Sequence, residues 1–118
     1  NDLHNYIISN DMSVQSNYDY VESQLEIESL IDYIILNTHV VCSDWLNYNT
    51  AWWRGRNPNG EKQRWRYALW DMDATFGHYI NYTGIPDVSA NADPCNAENL
   101  PNPGGQGHTD ILEKLIGF

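Results

Sequence analysis

Residues 22–41, ESQLEIESLIDYIILNTHVV, constrain the fold of this chain more than any other stretch. Ile27, Leu30, Ile31, Ile34 and Ile35 recur at three- and four-residue steps, which gathers them into one stripe on an α-helix. Glu22, Glu26 and Asp32 lie mostly off that stripe, and Ser23 with Glu26 has capping-box spacing. A helix this apolar on one side must pack on something substantial, so the rest of the chain has to supply a surface. At 118 residues there is room for one modest domain or a piece of a larger one. Apolar residues make up 42 %, which argues against a chain that is disordered by composition.

The flanks indicate what that surface is. Residues 1–20 are polar apart from Leu3, Tyr6, Ile7 and Ile8, and read as a short helix or an entry loop. From Thr50 onward, TAWWRGR, NPNGEK and QRWRYALW read as strand, turn and strand, with the Asn-Pro-Asn-Gly cluster making the reversal. Strict alternation would place Trp65, Tyr67, Leu69, Asp71 and Asp73 on one face, and Arg64, Arg66, Ala68 and Trp70 on the other. About thirty residues rich in Pro, Gly, Asn and Asp follow, a length that in a compact domain marks a functional or mobile loop. The end, TDILEKLIGF, reads as a short helix capped by Thr109 or Asp110, with Ile111, Leu112, Leu115 and Ile116 as its apolar face. Helix, loop, hairpin, long loop and closing helix together give an α+β class, with no internal repeat and no domain boundary.

The formal charge of −10 argues against nucleic acid as a partner, because a polyanion would be repelled. No apolar run approaches the roughly 20 residues of a membrane helix, and no signal peptide is visible. The first residue is Asn1 rather than Met, so a processed or cut segment is expected, and the missing signal says nothing about export. Cys42 and Cys95 allow one disulfide in an exported protein, and otherwise are two thiols. They lack zinc-site spacing, and His4, His39, His78 and His108 share no ligand pattern. Asn81-Tyr82-Thr83 matches the N-glycosylation acceptor pattern, a motif short enough to arise by chance.

The chemistry concentrates in RWRYALWDMDATFG, residues 64–77, where an aromatic strand runs into two aspartates one residue apart. Two neighbouring carboxylates repel each other unless a cation lies between them or one holds a proton. Mg²⁺ suits such a pair, since it takes hard oxygen ligands from one or two carboxylates together with phosphate oxygens. Solvated turn residues are the plainer reading of an isolated Asp-x-Asp, but here it has a counterpart upstream. In CSDWLNYNTAWWRG, Asp44 and Asn49 are separated by four residues, the spacing of the protein-kinase catalytic loop. The order helix, Asp44-x4-Asn49, hairpin, Asp71 repeats the kinase order. In that chemistry Asp71, helped by Asp73, holds the metal against the nucleotide phosphates, and Asn49 adds a neutral oxygen. Asp44 orients or deprotonates the acceptor hydroxyl. Arg54, Arg64 and Arg66 are candidates to steady phosphates, although charge on the hairpin edges is the plainer reading.

At these residues the chain resembles the CotH family (spore coat protein H), atypical secreted protein kinases. The match runs through Asp44-Trp45, Asn49, Trp53-Arg54, Trp65-x-Tyr67, and Trp70-Asp71-Met72-Asp73 with Phe76-Gly77. It covers residues 20 to 80 best, and ILEKLIGF is similar in kind to the family's closing helix. The resemblance implies a protein-kinase-like fold, ATP with Mg²⁺ or Mn²⁺ as cofactors, and phosphorylation of a protein substrate, extracellular or of the bacterial spore coat. Carried over by position, it makes Asp44 the catalytic acid and Asn49 its metal-binding partner. Asp71 is then the first metal ligand and Asp73 the second, and Trp65 lines the nucleotide pocket unless it is simply a core residue.

The family's Asn-Asn is here Asn47-Tyr48-Asn49, and Gly77 stands six residues after Asp71 rather than two as in Asp-Phe-Gly. The chain has no glycine-rich phosphate loop and no nucleotide-pairing Lys, so residues 1–118 are expected to be the active-site half of a CotH-type domain and inactive alone. Two other readings stay open: a kinase-like structural or binding module of an exported protein without phosphotransfer, and a calcium- or carbohydrate-binding domain using the acids and the Trp/Tyr surface.

Overall fold

The computed structural model describes residues 2–42, 49–76, 78 and 108–117. Four helices and one antiparallel strand pair make the class α+β, as expected: α1 (Asp2–Ser9), α2 (Gln15–Gln24), α3 (Ile27–His39), β1 (Ala51–Trp53), β2 (Arg66–Ala68) and α4 (His108–Ile116). None of these helices is long and apolar enough to cross a membrane. Asp44, Cys95, the Asn81 acceptor pattern, Gly77 and most of the expected long loop lie outside the described residues.

The helix expected across 22–41 is two helices. Leu25 ends α2 in an extended conformation (φ −119°, ψ 131°), and Glu26 is extended before α3 begins. The interruption has a tertiary cause. Glu26 N donates to Trp65 O at 2.9 Å and Trp65 N donates to Gln24 O at 2.8 Å, a parallel bridge that buries Leu25 completely. The backbone thus exchanges helical bonds for strand-like bonds to the hairpin. The capping box does not form. Ser23 Oγ turns back to Tyr20 O at 2.6 Å, and the Glu26 carboxylate is taken by arginines.

The inward face of α3 also differs from the stripe. Leu30, Tyr33, Ile34 and Asn37 are buried, whereas Ile31 and Ile35 are 42 % and 59 % exposed. Positions 30, 33, 34 and 37 are themselves a helical face, and it is the one turned toward β2, whose Tyr67 ring lies 5.1 Å from that of Tyr33. Asn37 is tolerated there because its Nδ2 donates to Tyr33 O at 2.8 Å.

The hairpin forms with Ala51 opposite Ala68, Trp52 opposite Tyr67 and Trp53 opposite Arg66. Its turn is fixed locally: Asn59 N donates to Asn57 Oδ1 at 3.0 Å and Gly60 N to Asn57 O at 2.9 Å. Alternation stops at Ala68. Trp65 and Tyr67 turn inward, but β2 ends at Ala68, Leu69 is 53 % exposed and Trp70 61 %, and Asp71 then adopts a left-handed φ of 51°.

Residues 1–20 contain two helical segments rather than one. Leu3 and Ile7 of α1 meet α4, whose Ile111, Leu112 and Leu115 are buried while Ile116 is exposed. The core is continuous from α1 and α4 through α3 to Tyr67, and it leaves the acidic loop at its edge.

Candidate functional site

The site is built on the end of α3 and the open end of the hairpin. Helix α3 closes with Val41 N donating to Thr38 O at 3.1 Å and Cys42 N to Asn37 O at 2.9 Å, with Val41 left-handed at φ 51°. That is a Schellman closure with valine where glycine is usual. It delivers the chain to Cys42, the last described residue before 43–48, which include Asp44.

Asn49 is the next described residue. Tyr33 on α3 donates its hydroxyl to Asn49 O at 3.1 Å, and Thr50 Oγ1 lies 3.0 Å from the same hydroxyl. With its one proton on Asn49 O, Tyr33 receives the Thr50 hydroxyl as donor. Both ends of the 43–48 segment are therefore tied to one helix.

Asn49 and Asp71 stand on the two arms at the same end of the hairpin. Asn49 lies two residues before Ala51 and Asp71 three residues after Ala68, and Ala51 and Ala68 are partners. From Asp71 to Ala74 the loop turns its residues alternately outward and inward. Asp71 and Asp73 are exposed, whereas Met72 packs on the core and Ala74 is buried. The loop is then fastened by Phe76 N, which donates to Val40 O at 2.9 Å. Two exposed acidic residues thus stand on a segment held at both ends.

The described residues hold no group of three or more His, Cys, Asp or Glu able to take a metal. Asn49, Asp71 and Asp73 carry hard oxygen donors, which suit Mg²⁺ more than a transition metal.

Trp65 is half-buried against the core. The Arg54 guanidinium lies 4.7 Å from its ring centroid, and the Trp52 ring 6.1 Å away at a tilt of 58°. Arg64 and Arg66 both pair with Glu26 Oε2, at 2.5 and 2.8 Å, so they link β2 to the start of α3 instead of facing the acidic loop.

Sequence reasoning missed three side chains that support this arrangement: Tyr33, Glu26 and His108. His108 is buried against Trp52, and its Nδ1 lies 3.1 Å from Tyr67 Oη. Burial, with a smaller contribution from His4, lowers the His108 pKa to about 4. Burial, with Tyr33 nearby, pushes the Tyr67 phenol well up. At neutral pH the pair is therefore a protonated phenol donating to a neutral imidazole, whose own proton is assigned to Nε2. Of the three, only Tyr33 had a local signal, as the polar-tipped ring three residues after Leu30 and four before Asn37.

A family model described as CotH kinase protein matches residues 1–115, from ahead of α1 into the last turn of α4. No curated protein and no solved structure matches the chain.

Proposed function

We propose, from the premise that the chain belongs to the CotH kinase protein family, that it carries the active-site half of an atypical protein kinase. Its reaction is transfer of phosphate from ATP to a protein, extracellular or of the spore coat. The observation that carries this reading is the strand register: Ala51 opposite Ala68 sets Asn49 and Asp71 at one end of the hairpin. Asn49, Asp71 and Asp73 are the residues to hold Mg²⁺ or Mn²⁺, and the exposure of both acids suits a hard cation that keeps part of its water. The ion, when bound, neutralises charge on the nucleotide phosphates.

The protein's own contribution is positioning. Asp44 is the group to accept or orient the acceptor proton, Asn49 is held from behind by Tyr33, and Trp65 walls the nucleotide. A second reading, a catalytically inactive kinase-like structural or binding module of an exported protein, has its own support. Arg54 already covers a face of Trp65 where a base would stack.

The two readings separate in one experiment. The full-length protein is incubated with γ-labelled ATP and Mg²⁺ or Mn²⁺, beside Asp44→Ala and Asp71→Ala. Metal-dependent label in the wild type that both variants lose supports the kinase. A wild type without label, or variants equal to it, supports the module.

A further inference from the structure

The basic residues of this acidic chain are gathered in one place. Five of its six Lys and Arg lie between residues 54 and 66, with Glu61 as the only acid among them; Lys114 and fifteen acids make up the rest. Glu26 holds Arg64 and Arg66. Arg54, Arg56 and Lys62 make no ion pair among the described residues, although acids far outnumber cations in the chain.

Two of these three cations are pre-positioned on aromatic rings. Arg54 lies over Trp65 at 4.7 Å and Lys62 over Trp53 at 5.8 Å. Arg54 and Arg56 are two apart across Gly55, whose N–H bonds Lys62 O; a Cβ on Gly55 would come within 2.8 Å of that oxygen. The turn is stiff, because Gln63 Nε2 donates to Pro58 O at 2.6 Å and Gly60 O at 3.0 Å. Arg54, Gly55, Arg56, Asn57, Pro58 and Gln63 line a groove of about 440 Å³ there.

We propose that this groove binds a phosphate monoester carried on a protein side chain. Guanidinium forks match a compact dianion in bidentate fashion, and less ordering is left to do where Arg54 already lies on a ring. The size of the anion is limited by the rest of the molecule. A long polyanion reaching past the hairpin meets the fifteen acids elsewhere and is repelled, whereas a single phosphate in a neutral or basic segment is not. The proposal rests on the phosphotransfer reading only for the source of the phosphorylated protein.

The test is direct binding to the full-length protein without metal, with ATP added only as a competitor, so it does not depend on phosphotransfer. A fluorescein-labelled phosphoserine peptide in a neutral context is titrated by polarisation, beside its serine and glutamate counterparts. Inorganic phosphate, ATP and a single-stranded oligonucleotide serve as competitors. The phosphopeptide is expected to bind at least about tenfold tighter than the serine peptide, and inorganic phosphate to displace it. Arg56→Gln, at a side chain with no hydrogen bond or ion pair among the described residues, weakens binding by about tenfold. Combined Arg54→Gln, Arg56→Gln and Lys62→Gln removes it, and Lys114→Gln leaves it unchanged. Equal affinity for phosphorylated and serine peptides, or unchanged affinity in Arg56→Gln, overturns the proposal. So does an oligonucleotide or ATP that binds the same residues more tightly than the phosphopeptide.

Discussion

The Tyr33 hydroxyl donates to the Asn49 carbonyl oxygen at 3.1 Å, joining the middle of α3 to the residue that opens the hairpin. Tyr33→Phe keeps the buried ring and removes the hydroxyl, which serves both Asn49 O and Thr50 Oγ1. We expect a stability loss of about 1–2 kcal/mol, the net worth of the hydrogen bonds that the hydroxyl makes. Phosphotransfer by the full-length protein is expected to fall by more than that loss explains, with KM for the metal–nucleotide rising. A variant that melts lower but keeps its KM would reduce Tyr33 to a packing residue.

Asp71 and Asp73 stand on the same fastened loop, but only Asp71 takes the left-handed turn at the hairpin end. Asp71→Ala is expected to lower phosphotransfer by at least about 100-fold, and Asp73→Ala by less, on the scale of losing a group that stabilises developing charge. Asp44→Ala belongs with Asp71→Ala. Equal effects at 71 and 73 would mean that the ion bridges both acids evenly.

Glu26 is a hinge between layers, because one carboxylate oxygen serves Arg64 and Arg66. Glu26→Ala leaves the partly buried Arg66 without its anion and is expected to cost about 2 kcal/mol. Arg64 is more exposed and adds little to that figure. Chemical denaturation of wild type and variant at low and high salt measures it. A change within ~0.5 kcal/mol would show that the Leu25–Trp65 backbone bridge alone sets the join.

His108 makes stability depend on pH in a defined direction. Its folded pKa, about 4, lies below the ordinary 6.5, so between those values the unfolded chain takes up a proton that the folded chain refuses. The contribution is complete above pH 6.5, falls as the pH drops toward 4, and levels off below. At about 1.4 kcal/mol per unit the total is ~3 kcal/mol. Urea unfolding at pH 7.5 and 4.5 should show the loss in the wild type. His108→Phe should be flatter, and less stable at pH 7.5 because Tyr67 loses its acceptor. An unchanged slope would move the effect to another group.

The hairpin was legible because its turn chemistry is local: Asn57, Pro58, Asn59 and Gly60 specify a reversal, and the flanking rings specify strands. The existence of α3 was equally plain, but its inner face was not. Leu30 to Ile35 is apolar enough to offer two overlapping stripes. The choice fell to Tyr33, whose hydroxyl finds acceptor and donor partners on the Asn49–Thr50 backbone and side chain. The break at Leu25 had no Gly or Pro to announce it, since it is made by Trp65, forty residues on. His108 gave no signal either, because its partners Trp52 and Tyr67 come from a different element. That Asn49 and Asp71 stand at the same end of the hairpin follows from reading the hairpin between them. How Asp44 meets them lies outside the described residues.

The bond from Phe76 N to Val40 O gives the last turn of α3 an acceptor role that no helical N–H fills. The helix end and the acidic loop therefore form one cooperative unit in local opening: freeing the loop strands the Val40 carbonyl, and fraying the helix releases the loop. Amide exchange at Phe76 and Cys42 should follow a single opening free energy. Presentation of the two carboxylates is thus as durable as the end of one helix.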